Sequence, residues 1–373
     1  MASCRICDSK FERFISFGNT PIANGFLLEK DFPKEYFFEL ATGFCQNCYM
    51  VQLIEQPQRE QMFHEEYAFF SSLSEGMRNH FRGFAEKLKN EFLNKDDPFA
   101  VEIGSNDGIM LKNLCDAGIR HLGIEPSANV ARAAMDNGVN TVSRFFDEDL
   151  ANEIVDQYGY ADTITSANVI CHIPYLHSVF SGIEKLLKPD GVFIFEDPYL
   201  GDIVEKVSYD QIYDEHVFFF SVSSVAKLAE KHGLEIFDVE ALPVHGGSMR
   251  YYLARKSSRR ISNRVGQQLQ KEKDLGLQQA ETFDRLRSRI ELSRKNLVAM
   301  LEQLRQQQGR PVAAYGATSK STTVTNYCGI GPELIEYICD TTPLKQGKFS
   351  PGTHIPIRPY QEFLDNYPPY TLL

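Results

Sequence analysis

Cys4 and Cys7 form one Cys-x-x-Cys pair, and Cys45 and Cys48 form another. Two such pairs can place four thiolates at the corners of a tetrahedron. That arrangement suits Zn²⁺ and leaves no open coordination position, so the metal would be structural. The stretch from residue 8 to residue 44 is longer than usual between zinc knuckles and must carry structure of its own. A redox dithiol is the competing reading, but the pairs occur together and neither opens a βαβ unit.

A second candidate is Val101-Glu102-Ile103-Gly104-Ser105-Asn106-Asp107-Gly108. A strand that ends in a glycine turn and runs into a helix lets backbone approach a ligand closely and offers it free N–H groups. Glu125 follows at the end of the next apolar stretch, HLGIEPS. An acid there can accept hydrogen bonds from both hydroxyls of an adenosine ribose. The dinucleotide fingerprint G-x-G-x-x-G lacks its second glycine here, so the turn fits S-adenosylmethionine better than NAD.

The third is Tyr209-Asp210-Gln211-Ile212-Tyr213-Asp214-Glu215-His216. One helical turn would set Tyr213 and His216 on the same face. An imidazole, with an ordinary pKa near ~6.5, can take a proton at neutral pH, and a neighbouring carboxylate can orient it. A buried structural histidine is the plain alternative.

The elements that must position these groups change character along the chain. Residues 1–60 read as irregular, with short strand-like pieces and too few apolar residues for a core of their own. Residues 61–95 have helical spacing. From residue 99, FAVEIG, HLGIEP, TVSRF, DTITSANVI and VFIFEDPYL read as five strands with helices between them, the pattern of a parallel sheet covered on both faces. LEIFDVEALP and SMRYYLARK, joined by VHGG, form a closing pair of the kind that finishes the common methyltransferase sheet. Residues 258–309 read as one long helix or a helical pair. RPVAAYGATSKSTT and ELIEYICD open a further βα unit, and YPPYTLL begins a last strand.

Composition narrows the partners. The 373-residue chain carries a formal net charge of −11 and is 43% hydrophobic. It has no apolar run long enough for a membrane span and no signal-peptide stretch, so a cytoplasmic location is expected. Net acidity argues against a nucleic-acid partner. The basic run from Arg255 to Arg264 reads as a solvated helix start.

These features, in this order, resemble the sugar C-methyltransferase family, whose members methylate C-3′ of dTDP-4-keto-deoxysugars. The resemblance spans nearly the whole chain. It includes the four cysteines, Tyr67-x-x-Phe70-Ser71-Ser72-x-Ser74, Val101–Gly108, and Asn168-Val-Ile-Cys-His172-Ile-Pro174. It continues through Tyr213–His216, His245-Gly-Gly-Ser248, Gly316–Lys320 and Lys345–Pro356.

The resemblance implies an α/β class I methyltransferase Rossmann-like sheet. A zinc-binding domain (1–60) and a C-terminal α/β domain (257–373) would flank a methyltransferase domain at 61–256. The family usually runs on through another strand and a short helix, so the C-terminal domain is expected to be shortened. His216 would be the general base, flanked by Tyr213 and Glu215, with Tyr67 and His172 completing the catalytic pocket. Glu102, Gly104, Asn106, Gly108, Glu125, Ser127 and Asn168 would bind S-adenosylmethionine. His245, Gly316 and Lys320 would contact a nucleotide-sugar, the last two at its diphosphate. Methylation of an oxygen or nitrogen, or of RNA by a zinc-finger enzyme, are the rival expectations.

Overall fold

The computed structural model describes residues 2–57, 71–365 and 367–373. The first part of the chain is more regular than its sequence suggests. Strands β1 (Ala2–Ser3), β2 (Lys10–Pro21), β3 (Phe37–Phe44) and β4 (Val51–Leu53) pair antiparallel. Aromatic and β-branched residues favour strands in β2 and β3. Two register shifts, between Arg13 and Ile15 and between Ser16 and Asn19, break the alternation that would have announced β2.

Helix α1 (Glu75–Glu91) starts behind Ser74, whose side chain accepts the Met77 N–H. Tyr67 and the rest of residues 58–70 lie outside the described residues. Next come β5 (Phe99–Ile103), α2 (Leu111–Asp116), β6 (Arg120–Ile124), α3 (Ala128–Asp136), β7 (Thr141–Val142) and α4 (Glu148–Tyr158). They are followed by β8 (Ala161–Ala167), α5 (Leu176–Leu186), β9 (Leu187–Pro198) and α6 (Leu200–Lys206). Then come β10 (Phe218–Phe219), α7 (Val222–Glu230), β11 (Leu234–Leu242) and β12 (Ser248–Arg255).

The seven-stranded sheet runs β11-β12-β9-β8-β5-β6-β7. Strands β5 to β9 pair parallel, and β12 is antiparallel to both β9 and β11. This is the class I methyltransferase sheet, with its switch point beside β5. Every residue of β5 is buried, as a central parallel strand requires.

Strand β10 does not join that sheet. It pairs antiparallel with β4 and becomes the fifth strand of the N-terminal sheet. The chain just past His216 is thereby stitched to the cysteine-bearing region.

The helical pair is α8 (Asn263–Leu275) and α9 (Ala280–Gln308). Strand β13 (Val312–Tyr315), α10 (Ser319–Cys328), β14 (Ile335–Asp340), β15 (Ile357–Pro359), α11 (Tyr360–Asp365) and β16 (Thr371–Leu372) complete the chain. Their strands form a parallel sheet in the order β15-β14-β13-β16. Helix α10 begins with a capping box in which Thr318 and Ser321 each accept the other's backbone N–H.

The cores explain how the N-terminal sheet holds together. Phe14, Phe17, Phe38 and Phe44 pack in one cluster with Leu200 and Ile203 of α6 and Phe283, Leu286 and Ile290 of α9. Cys4, Ile6, Phe11, Cys45 and Met50 belong to a cluster continuous with the central sheet. The N-terminal sheet thus borrows apolar cover from both of the other parts. Among the described residues no helix is long and apolar enough to cross a membrane.

Candidate functional site

A cavity of about 480 Å³ opens at the C-terminal ends of β5, β6, β8 and β9, where a parallel sheet collects its ligands. Backbone geometry shapes one end. Gly104 has φ +70°, and a Cβ there would meet Val169 Cγ2 at 2.3 Å, so a larger residue would push into the next loop. Asn106 also has positive φ, at 48°. Its N–H donates to Glu125 Oε2 at 3.1 Å, while the Ser127 N–H donates to Oε1 at 2.8 Å. Both carboxyl oxygens of Glu125 are therefore oriented by amides. Burial pushes the Glu125 carboxyl above its ordinary value, and those amides oppose it.

Glu102 beneath it is pushed well above its ordinary value, first by burial and then by the Asp107 charge. Its Oε2 has no hydrogen-bond partner among the described residues. Glu102, Gly104, Asn106, Glu125, Ser127 and Asn168 all line the cavity. Gly108, with φ +81°, does not line it. A Cβ on Gly108 would sit 2.9 Å from Val139 Cγ2, so its role is local packing. The chemistry fits S-adenosylmethionine: oriented carboxyl oxygens for ribose hydroxyls, a close backbone approach, and acidic surroundings for a cationic ligand.

The other end is made of side chains. Tyr213 and His216 do meet, but through a β-turn rather than the expected helical turn: the His216 N–H donates to the Tyr213 carbonyl at 3.0 Å. The short 3₁₀ segment Tyr209–Gln211 ends before the pair, and β10 begins two residues after it. His216 Nδ1 lies 2.7 Å from the Gln211 carbonyl oxygen. A carbonyl only accepts, so Nδ1 carries the proton and Nε2 is the basic nitrogen. The Tyr213 hydroxyl donates to that Nε2 at 2.8 Å.

Burial, reinforced by the His172 imidazole, pushes His216 well below the ordinary histidine range and keeps it neutral at pH 7. The His172 ring lies 5.1 Å from that of His216, and burial lowers its pKa to about 4. His245, at φ 53°, is lowered to about 4 by burial and then by the Lys320 charge. Glu215 is pushed up to about 8 by burial and by neighbouring Asp214.

Thr318, Ser319 and Lys320 line the cavity, but Gly316 does not: its N–H donates to the Cys339 carbonyl at 2.8 Å behind the site. Three cavity residues are given no site role by the sequence. Asn24 donates to Glu215 Oε1 at 2.6 Å, from a turn-rich stretch that gives no chemical signal. Gln211 supplies the carbonyl that sets the His216 tautomer, and its Nε2 donates to the His245 carbonyl at 2.5 Å. Lys345 donates to the Ala317 carbonyl at 2.6 Å. It opens the Lys345–Pro356 stretch that the family resemblance includes, which is the signal that could have marked it.

The cysteines converge as their spacing predicts. The two knuckles have matching turns: Cys4 N–H donates to the Ser9 carbonyl and Cys45 N–H to that of Met50, with Asp8 and Tyr49 both at φ 61°. Cys4 and Cys48 Sγ are 3.5 Å apart, Cys7 and Cys45 Sγ 3.4 Å, and all four sulfurs lie within 4.8 Å of one another. Four sulfurs at ~2.3 Å from one Zn²⁺ would stand about 3.8 Å apart. The Gln52 amide donates to Cys4 Sγ at 3.1 Å, as thiolate ligands require. The set fits structural zinc.

Three family models match successive parts of the chain. Residues 4–63 match the family model of a zinc binding domain, residues 77–239 that of a methyltransferase domain, and residues 243–373 that of a C-methyltransferase C-terminal domain. The chain is 32% identical over 380 residues to C-methyltransferase NovU of Streptomyces niveus, covering 99% of this chain and 88% of that protein. Among solved structures, it is similar to magnesium protoporphyrin IX methyltransferase from Synechocystis with bound SAM (15% identity, 48% of this chain, 80% of that one, TM-score 0.36). It is also similar to a protein from Pyrococcus horikoshii (15% identity, 54% of this chain, 100% of that one, TM-score 0.40).

Proposed function

Because the chain belongs to the C-methyltransferase family, we propose that it methylates C-3′ of a nucleotide-linked 4-keto-deoxysugar, with dTDP as a candidate nucleotide. It is an S-adenosylmethionine-dependent methyltransferase with a zinc-binding N-terminal region. We read it as a zinc-binding domain (1–60), a methyltransferase domain (61–256) and a C-terminal α/β domain (257–373).

The observation that carries the reading is the neutral His216, hydrogen-bonded to Tyr213, on the wall of the same cavity as Gly104 and Glu125. A carbon beside a ketone becomes nucleophilic only after it loses a proton. His216 Nε2 is the acceptor for that proton, and the Gln211 carbonyl stabilises the imidazolium that forms. As Nε2 is claimed, the Tyr213 hydroxyl is released and can donate to the developing enolate oxygen, with His172 alongside. Glu215 flanks the pair, and Tyr67 completes the set by the family resemblance.

At the other end, Glu125 accepts the ribose hydroxyls, while Glu102, Gly104, Asn106, Ser127 and Asn168 shape the rest of the donor pocket. When bound, the donor supplies an electrophilic methyl on a positively charged sulfur. The protein's task is to hold carbon and methyl close and in line. Lys320, the start of α10 and His245 face the sugar's diphosphate side, with Gly316 behind them as support.

The test is to incubate the protein with 4-keto nucleotide-sugars in deuterated water, first without the methyl donor and then with it. Exchange at C-3′ without donor, followed by mass gain of one methyl group when donor is added, is the expected result. Methylation of an oxygen or nitrogen with no exchange would overturn the carbon assignment.

A further inference from the structure

We propose that Asn24, carried by the N-terminal sheet, is a positioning residue for the reaction: it fixes the Glu215 carboxyl at the acceptor end of the cavity and makes the zinc-binding region part of the active site. The inference rests on the function proposed above. The Asn24 side chain reaches the cavity and donates from Nδ2 to Glu215 Oε1 at 2.6 Å, across 191 residues of sequence.

The backbone that presents it is fixed independently. The Gly25 N–H closes a turn on the Ile22 carbonyl at 3.0 Å. The Ala23 N–H donates to Asp214 Oδ1 at 2.9 Å, and the Ala23 carbonyl accepts from Thr322 Oγ1 at 2.9 Å. Leu27 and Phe349 exchange backbone hydrogen bonds just beyond. Those contacts already join the three parts of the chain. The amide of Asn24 is not needed for docking; it is directed at a carboxyl inside the cavity.

The same catalytic turn is held from its other side. Val217 accepts the Leu53 N–H at 2.8 Å, and β10 extends the sheet at β4. Residues 213–217 are thus gripped fore and aft by the cysteine-bearing sheet. The charged and titratable groups that interact with Glu215 among the described residues are Asp214, Lys345 and the buried Cys171 thiol. A buried carboxyl next to another acid needs a neutral donor to hold one orientation in either protonation state, and an amide provides it. An aspartate at position 24 would add a third acid instead.

The experiment uses full-length, zinc-loaded protein. Asn24→Ala should lower turnover in the donor-dependent reaction about 3- to 10-fold, the value of an ordinary side-chain hydrogen bond. Zinc content and donor affinity should stay at wild-type level, and the Glu215 carboxyl should titrate at higher pH once it loses the Asn24 hydrogen bond that lowers its pKa. Asn24→Ala placed on Glu215→Gln should cost nothing further, because Asn24 acts through Glu215. Asn24→Gln should restore part of the rate.

Unchanged turnover in Asn24→Ala, or an equal loss on both backgrounds, would overturn the assignment. If wild-type protein neither exchanges nor methylates any 4-keto nucleotide-sugar, the proposed function fails on its own. Asn24 is then judged by the infrared carboxyl band of Glu215, assigned by subtracting Glu215→Gln. That band should shift in Asn24→Ala; a stationary band overturns the proposal.

Discussion

At the Gly104–Glu125 end of the cavity, most of the named groups come from one βαβ stretch, residues 102–127, with Asn168 added from the end of β8. At the Tyr213–His216 end the groups are drawn from Asn24, His172, residues 211–216, His245, residues 318–320 and Lys345. The first end sets its geometry through positive φ at Gly104 and Asn106 and through amides that orient Glu125. The second depends on how three folded parts are docked. A ligand common to many reactions can be met by a local motif, whereas a particular acceptor needs groups that no single loop supplies.

The sharpest way to test that contrast is to remove the base. His216→Asn should lower turnover about 10²- to 10⁴-fold, the usual share of a general base. Donor binding measured by calorimetry should be retained. Wild-type kcat/KM carries a related signature. Burial holds His216 below the ordinary histidine pKa of ~6.5, so the neutral, active form persists into mild acid. Activity should fall only as pH drops through that lowered value, and the acid limb should vanish in His216→Asn. Equal loss of donor binding and turnover would mean that the two ends are not separable.

The converse substitution has a smaller effect. Glu125→Ala removes the acceptor for the donor's ribose and should weaken donor affinity about 10- to 100-fold. Exchange at C-3′ without donor should be little changed, since no step of it uses Glu125. Isothermal titration and deuterium incorporation, run on the same preparation, measure both. An exchange rate that fell with the affinity would show that Glu125 shapes the acceptor end as well.

How far each end could be read in the sequence follows from the same difference. Residues 101–108 and Glu125 were legible because the groups that act together are near neighbours in the chain or sit on adjacent strands. The Tyr213–His216 pair was legible as a spacing, but its local conformation was not. Three residues also close a β-turn, and the strand β10 that follows pulls the chain away from a helix. Asn24 and Gln211 were not legible as site residues. An asparagine in PIANGF reads as a turn former, and the functional atom of Gln211 at His216 is a carbonyl that any residue carries. The seven-stranded sheet was readable strand by strand from its apolar runs. The N-terminal sheet was not, because its bulges break the alternation and its apolar partners, such as Leu200 and Phe283, lie far along the chain.

The zinc cluster offers the finest test, because its direct effect on the chemical step should be the smallest. Cys4→Ser removes one of the four sulfurs and should empty the site, as metal analysis would show. The loss should loosen both knuckle turns and lower the melting temperature. A path to the catalytic turn is in place: Gln52 donates to Cys4 Sγ, and the strand that carries Gln52 pairs with β10 next to His216. At temperatures where the variant stays folded, C-3′ exchange should therefore drop several-fold while donor affinity holds. A variant that loses zinc, keeps full exchange and stays folded would cut the link between the cluster and the catalytic turn. One that loses donor affinity first would place the influence of the zinc on the Gly104–Glu125 end, against the division drawn above.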